Sequence, residues 1–147
     1  VLLMASRSAW DELGGFDPRY FMYGEDTDLS KRALACGYRP TYVPTATATH
    51  DAGGSSTSTL RVQLQAAGRI TYIDKHWRRR TAHLGHIFLT LGVLTRRIAR
   101  RGDIDWPTVW SNRRIWGTGY LDDASRRHQQ LESLGVSTTS SEDISAA

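Results

Sequence analysis

The chain has 147 residues, 39% hydrophobic and 23% charged, the size and composition of an ordinary folded domain, which excludes disordered, collagen-like and coiled-coil chains. Its net charge of +4 conceals an asymmetry: residues 1–59 carry seven acidic and five basic side chains, residues 60–147 eight acidic and fourteen basic, so the two halves are expected to face different partners. The single cysteine, Cys36, excludes an internal disulfide and any cysteine-based metal site, and is expected to be a buried thiol in a reducing cytoplasm.

Residues 1–4 read as a buried strand, and the chain starts there without a methionine, as a fragment of a longer sequence does. Ser8, with Asp11 three positions on, resembles a capping box opening a short helix over residues 9–13. Gly14 and Gly15 end it, with Phe16 placed for the hydrophobic contact behind the turn, and Pro18 keeps the aromatic stretch 16–23 out of helix. From Glu25 a second helix is predicted to Cys36: Leu29, Ala33 and Cys36 share one face and Gly37 supplies the stop.

Residues 38–43 read as a strand confined to an edge by Pro40 and Pro44. Residues 45–50 alternate Thr and Ala, so Ala46, Ala48 and His50 fall on one face of a further strand. Residues 51–59 form a Gly/Ser/Thr-rich loop. Residues 60–77 and 82–101 read as helices, the second basic at both borders. Beyond residue 101 the signals weaken: Trp106, Trp110 and Trp116 suggest packing, and residues 136–147 read as a frayed tail. No apolar run approaches the roughly 20 residues that span a bilayer.

The densest chemistry lies in residues 14–29, GGFDPRYFMYGEDTDL, and in HDAGGS from His50. Three acids in the first turn of a helix, Glu25, Asp26 and Asp28, serve capping and dipole complementarity in most proteins, and a histidine at a strand end bonds a nearby carbonyl. The order of the elements says more. Gly14, Gly15, Phe16 and Asp17, then Tyr20 and Phe21, then Tyr23, Glu25, Asp26, Asp28 and Leu29, then His50, Gly53 and Ser55 resemble the C-terminal part of the family 2 glycosyltransferases, particularly the rhamnosyltransferase-like and galactofuranosyltransferase-like members. The close match covers about residues 1–60, and a looser one reaches Tyr72, Lys75 and His76.

The resemblance implies an α/β fold, the C-terminal part of a GT-A (Rossmann-like) nucleotide-diphospho-sugar transferase with a helical extension. It divides the chain into 1–59, holding the acidic helix and the histidine strand, 60–101, a basic amphipathic helical extension, and 102–147, a poorly defined Trp-containing segment and tail. It further implies an inverting enzyme that moves a sugar from a nucleotide-diphosphate donor to a glycan or lipid-linked acceptor in cell-envelope polysaccharide synthesis. Such an enzyme works in the cytoplasm or peripherally on the inner face of the cell membrane.

Inversion needs a group that accepts the proton of the attacking hydroxyl opposite the leaving group, and a carboxylate suits it. By resemblance that base is Asp26. Glu25 orients Asp26, contacts the acceptor or only caps the helix. The resemblance makes Gly14, Gly15, Phe16, Asp17, Tyr20, Phe21, Tyr23, Asp28, Gly53 and Ser55 substrate contacts, with aromatic packing the alternative for Tyr20, Phe21 and Tyr23 and a plain linker for the glycine loop. His50 is similar in position to a histidine that helps hold a divalent cation, Mn²⁺ or Mg²⁺, at the leaving diphosphate. The family's other metal ligands lie in a D-x-D motif, and none stands upstream of Gly14. The remaining ligands are therefore expected from a preceding donor-binding half, and this segment alone is expected to be inactive. Absence of Q-x-x-R-W after His50 argues for adding one or a few sugars rather than processive synthesis.

Between Lys75 and Arg101 stand eight Lys/Arg and no acid, with Leu84, Ile87, Phe88, Leu91, Leu94 and Ile98 near helical period. Such a helix either lays its apolar face in an anionic membrane surface, at roughly 1 kcal/mol per basic residue, or packs it on another part of the protein. A rival reading is a basic nucleic-acid-binding module, from tryptophans among arginines in HWRRR and NRRIW. It leaves GGFD, E-D-x-D and H-x-x-G-x-S unexplained, so no nucleic-acid partner is expected. A third reading is a noncatalytic glycan- or membrane-docking module. His83 and His86, at i, i+3, are a weak metal pair.

Overall fold

The computed structural model describes residues 3–49, 58–99 and 103–136. Among them all regular structure is α-helical: α1 Arg7–Leu13, α2 Glu25–Ala35, α3 Ser58–His76, α4 Arg79–Ala99, α5 Trp106–Ser111, α6 Arg113–Trp116 and α7 Ala124–Ser133.

This overturns the expected α/β fold and its GT-A sheet. Residues 3–4, 38–43 and 45–49 carry no strand; residues 1, 2 and 50 lie outside the described residues. A strand satisfies its backbone N–H and C=O groups on a neighbouring strand, and none runs beside these segments. A period-two pattern also needs a core to face, whereas Met4 is 88% and Tyr42 86% exposed. Pro40 and Pro44 remove two donors besides.

Helix ends also shift. Ser6, not Ser8, caps α1, accepting the Ala9 N–H at 3.2 Å. Gly14 and Gly15, both at positive φ, close α1 as expected, through Gly14 N–H to the Asp11 carbonyl and Gly15 N–H to that of Trp10. Trp10 meets Phe16 edge-on at 5.1 Å behind that turn. Helix α2 stops at Ala35, one residue short of Cys36. Cys36 is exposed rather than buried, because the position just past the last turn faces solvent.

The axis of the fold is α3. Gln63, Leu64, Ala67, Ile70 and Thr71 fall on its buried side at helical spacing. Helix α4 turns back after Trp77 and Arg78 to pack along α3, while α5 and α6 also pack on α3. Leu64, Val109, Trp116, Tyr120 and Leu131 form one core with Tyr20 from the acidic half and Val93 from α4.

Several polar groups in this core are matched. The Trp116 indole N–H donates to the Val109 carbonyl at 2.7 Å. The Gln130 amide donates to the carbonyls of Ile115 at 2.9 Å and Gly119 at 2.7 Å, which anchors α7 against the turn after α6. Asp105 and Asp123 cap α5 and α7 by accepting the backbone N–H of Thr108 and Arg126. The weakly patterned region after residue 101 thus holds three capped or packed helices where it is described.

Candidate functional site

The head of α2 is fixed by two glycines. Tyr23 adopts φ 68 and Gly24 φ 105, a left-handed pair; for a tyrosine that conformation is costly and is kept only where the surroundings enforce it. The enforcement comes from α3, whose Gly68 presents bare backbone to this turn. A Cβ on Gly68 would stand 1.9 Å from the Tyr23 carbonyl oxygen. On the other side, a Cβ on Gly24 would lie 3.0 Å from Cε1 of Tyr20. The first turn of α2 is therefore clamped between the Tyr20 ring and the backbone of α3.

Of the three acids in that turn, Asp28 is sequestered. It is 0% exposed and receives Lys75 Nζ at 2.5 Å, His76 Nε2 at 2.7 Å and Arg32 Nε at 2.8 Å. Burial alone would raise its pKa, but the hydrogen bonds from Lys75, Arg32 and His76 outweigh burial and hold it below the usual carboxylate range. Lys75 also reaches Asp17 Oδ2 at 2.6 Å, and Arg19 reaches the same oxygen at 2.7 Å. The Arg19 hydrogen bond, opposed by burial and helped by Lys75, keeps Asp17 far below its ordinary value. Arg32 donates as well to the carbonyls of Leu13 and, at 2.7 Å, Gly15. One network thus ties the GGFD turn, the acidic helix and the end of α3 together.

Glu25 and Asp26 differ: among the described residues neither has an ion pair. Asp26 Oδ1 accepts the Thr27 backbone N–H at 2.7 Å and the Thr27 hydroxyl at 3.2 Å. Thr27 itself lines a 470 Å³ groove with Tyr23, Gln65, Arg69 and Tyr72. Oε2 of Glu25 is buried with no hydrogen-bond partner, as is the Tyr20 hydroxyl. A carboxylate without a cation keeps its lone pairs for another donor, and an unpartnered buried oxygen calls for one.

The other sequence candidates are spread around this head. Tyr20 is buried in the core. Phe21 is exposed, edge-on to Tyr120 at 6.5 Å. Tyr23 lines the groove. Gly15 lies under Trp10, with Gly14 and Phe16 exposed beside it. His50, Gly53 and Ser55 lie outside the described residues. Sequence reasoning missed the roles of Gly68, Arg32 and Arg19. Arg32 stands four residues after Asp28, a spacing that signals a helical ion pair; nothing local marks Gly68.

A divalent cation does not fit the described residues. No group of three or more His, Cys, Asp or Glu side chains converges among them. Of the two D-x-D runs, Asp26-Thr27-Asp28 has its second acid bound by Lys75, Arg32 and His76, and in Asp103-Ile104-Asp105 the second acid caps α5.

Comparison with known proteins adds an independent observation. The chain is 42% identical over 82 residues to N-acetylglucosaminyl-diphospho-decaprenol L-rhamnosyltransferase of Mycobacterium tuberculosis, in each of two strains. The match covers 52% of this chain and 27% of the relative. The chain is therefore related in part to a glycosyltransferase. It spans about a quarter of the length of the curated relatives it matches. No protein-family profile and no solved structure matches it.

Proposed function

We propose that this chain forms the acceptor-side part of an inverting glycosyltransferase of family 2, one that takes a sugar from a nucleotide-diphosphate donor. The observation that carries the reading is the division of labour in the first turn of α2. Asp28 is held by Lys75, His76 and Arg32 and is structural, while Asp26 and Glu25 have no cationic partner among the described residues and stand in sequence between Tyr23, Gly24 and Thr27, which line an open groove.

Asp26 is the base. Its carboxylate takes the proton of the acceptor hydroxyl as that oxygen forms a bond to the anomeric carbon. The bond from that carbon to the diphosphate breaks on the opposite face, and the diphosphate leaves with the electron pair. Thr27 holds Asp26 Oδ1 through two hydrogen bonds, leaving Oδ2 for the incoming proton. Glu25 supplies a second acceptor for a substrate hydroxyl. Tyr23 and Tyr72, which line the groove, offer aromatic faces to a sugar ring. A divalent cation at the leaving diphosphate would draw on His50 and on ligands outside the described residues.

The acceptor by analogy with the relative's name is a lipid-linked sugar diphosphate. The test is an NMR titration of the chain with a short-chain N-acetylglucosaminyl diphospho-polyprenol. Saturable shifts at Tyr23, Thr27 and Tyr72 support the reading; an unperturbed groove at millimolar acceptor opposes it.

The nucleic-acid reading loses one of its two tryptophan motifs, NRRIW, while Trp77 of HWRRR stays 45% exposed. Arg97 and Arg113 stack on Trp110 at 5.8 and 4.7 Å and Arg96 on Trp106 at 5.8 Å, while Trp116 is 1% exposed. These rings serve the fold and its own arginines, which removes them as stacking platforms for bases.

A further inference from the structure

Helix α4 has two apolar faces. Ala82, Leu89 and Val93 face the interior, the first and last buried. On the opposite side Leu84, Ile87, Phe88 and Leu91, at i, i+3, i+4 and i+7, and Ile98 two turns on, are all exposed, Phe88 to 71% and Ile98 to 73%. A contiguous outward apolar stripe of this kind on a helix marks a contact surface.

The charges around the stripe are of one sign. Arg78, Arg79 and Arg80 stand at its N-terminal end and α4 contains no acid, while Arg96 and Arg97, three and four residues after Val93, lie on the side that packs on α5. Arg79, Arg80 and His83 line a 640 Å³ recess with Trp77 at the α3–α4 corner. Asp74 in that recess is occupied by His86 at 2.8 Å. No helix among the described residues is long and apolar enough to cross a membrane.

From this arrangement we infer that α4 docks flat on an anionic phospholipid bilayer, with the stripe from Leu84 to Ile98 in the acyl boundary and the arginines at its N-terminal end on lipid phosphates. An apolar stripe gives the depth and a one-sign rim gives the preference for anionic headgroups. A protein partner covering this face would have to be acidic at one end of an apolar ridge, and a second copy packed in parallel would bring arginines against arginines. The inference rests on none of the glycosyltransferase reading: it needs only the outer face of α4, and it stands or falls separately from acceptor binding at Tyr23 and Tyr72.

The test is co-sedimentation of the whole chain with vesicles. Phosphatidylglycerol–phosphatidylcholine vesicles should bring the chain down, phosphatidylcholine vesicles should not, and added salt should weaken the binding. Leu84→Ser with Phe88→Ser, both exposed, should leave the circular dichroism and thermal midpoint unchanged while lowering partition by roughly tenfold or more. Arg79→Gln with Arg80→Gln should remove much of the preference for phosphatidylglycerol. Failure of the chain to sediment with anionic vesicles overturns the inference, as does a Ser/Ser variant that binds like the parent. So does a concentration-dependent dimer that the Ser/Ser variant abolishes without any vesicle binding by the parent.

Discussion

The carbonyl oxygen of Tyr23 rests against the bare backbone of Gly68, at a place where a Cβ would come within 1.9 Å of it. That contact lets α3 hold the left-handed turn from which α2, and with it Glu25 and Asp26, departs. The acids owe their position to a residue more than forty positions away in sequence.

Gly68→Ala should therefore damage the head of α2 although alanine is the better helix former. Helix propensity favours the substitution by about 1 kcal/mol, but the overlap displaces Tyr23 or parts α2 from α3, and overpacking of this kind costs about 1–3 kcal/mol. A lower denaturation midpoint with preserved helical content is expected. An unchanged or raised midpoint would show that the Tyr23 turn yields freely.

Lys75 joins two carboxylates, one of them fully buried. Lys75→Met keeps much of the side-chain length and removes the charge, leaving Asp28 with Arg32 and His76 and Asp17 with Arg19. Breaking a buried pair from one side costs about 3 kcal/mol or more, so chemical denaturation should register a loss of about that size. A loss below about 1 kcal/mol would mean that the remaining partners suffice.

Acid should unfold the chain through the same network. Asp17 and Asp28 both have folded-state pKa values depressed below those of the unfolded chain, by the Arg19 hydrogen bond in the first case and by hydrogen bonds that outweigh burial in the second. Such groups contribute stability that is fully present above the unfolded value of about 4 and is lost as pH falls through the folded one. The thermal midpoint should stay nearly level from pH 7 to about 5 and fall steadily below about 4, more gently in Lys75→Met. A midpoint that is flat down to pH 2 would contradict the linkage.

Much of the local structure was legible in the sequence. The glycine pair 14–15 closes α1, α2 starts at Glu25, and the two long helices lie close to their expected spans, because capping residues, glycine stops and helical periodicity act over a few residues. Fold class was not legible. Alternation at Ala46 and Ala48 resembles a strand face, yet a strand exists only where a neighbour pairs with it, and pairing is not a local property. The charge asymmetry was visible but its main use was not: Lys75 from the basic half pairs with Asp17 and Asp28 of the acidic half, and His76 bonds Asp28, so in part the two halves are partners of each other. Cys36 shows the same limit, since its helical register with Leu29 and Ala33 holds only while the helix continues.

The most direct measurement is sugar transfer by the glycosyltransferase of which this chain is proposed to form the acceptor-side part, comparing Asp26→Asn with Glu25→Gln while donor affinity and the thermal midpoint are followed alongside. A base removed without disturbing the fold should lower turnover by about 10²–10⁴-fold with donor affinity and midpoint nearly unchanged, and Glu25→Gln should cost less. Turnover by Asp26→Asn within a few fold of the parent would contradict the assignment of Asp26 as the base.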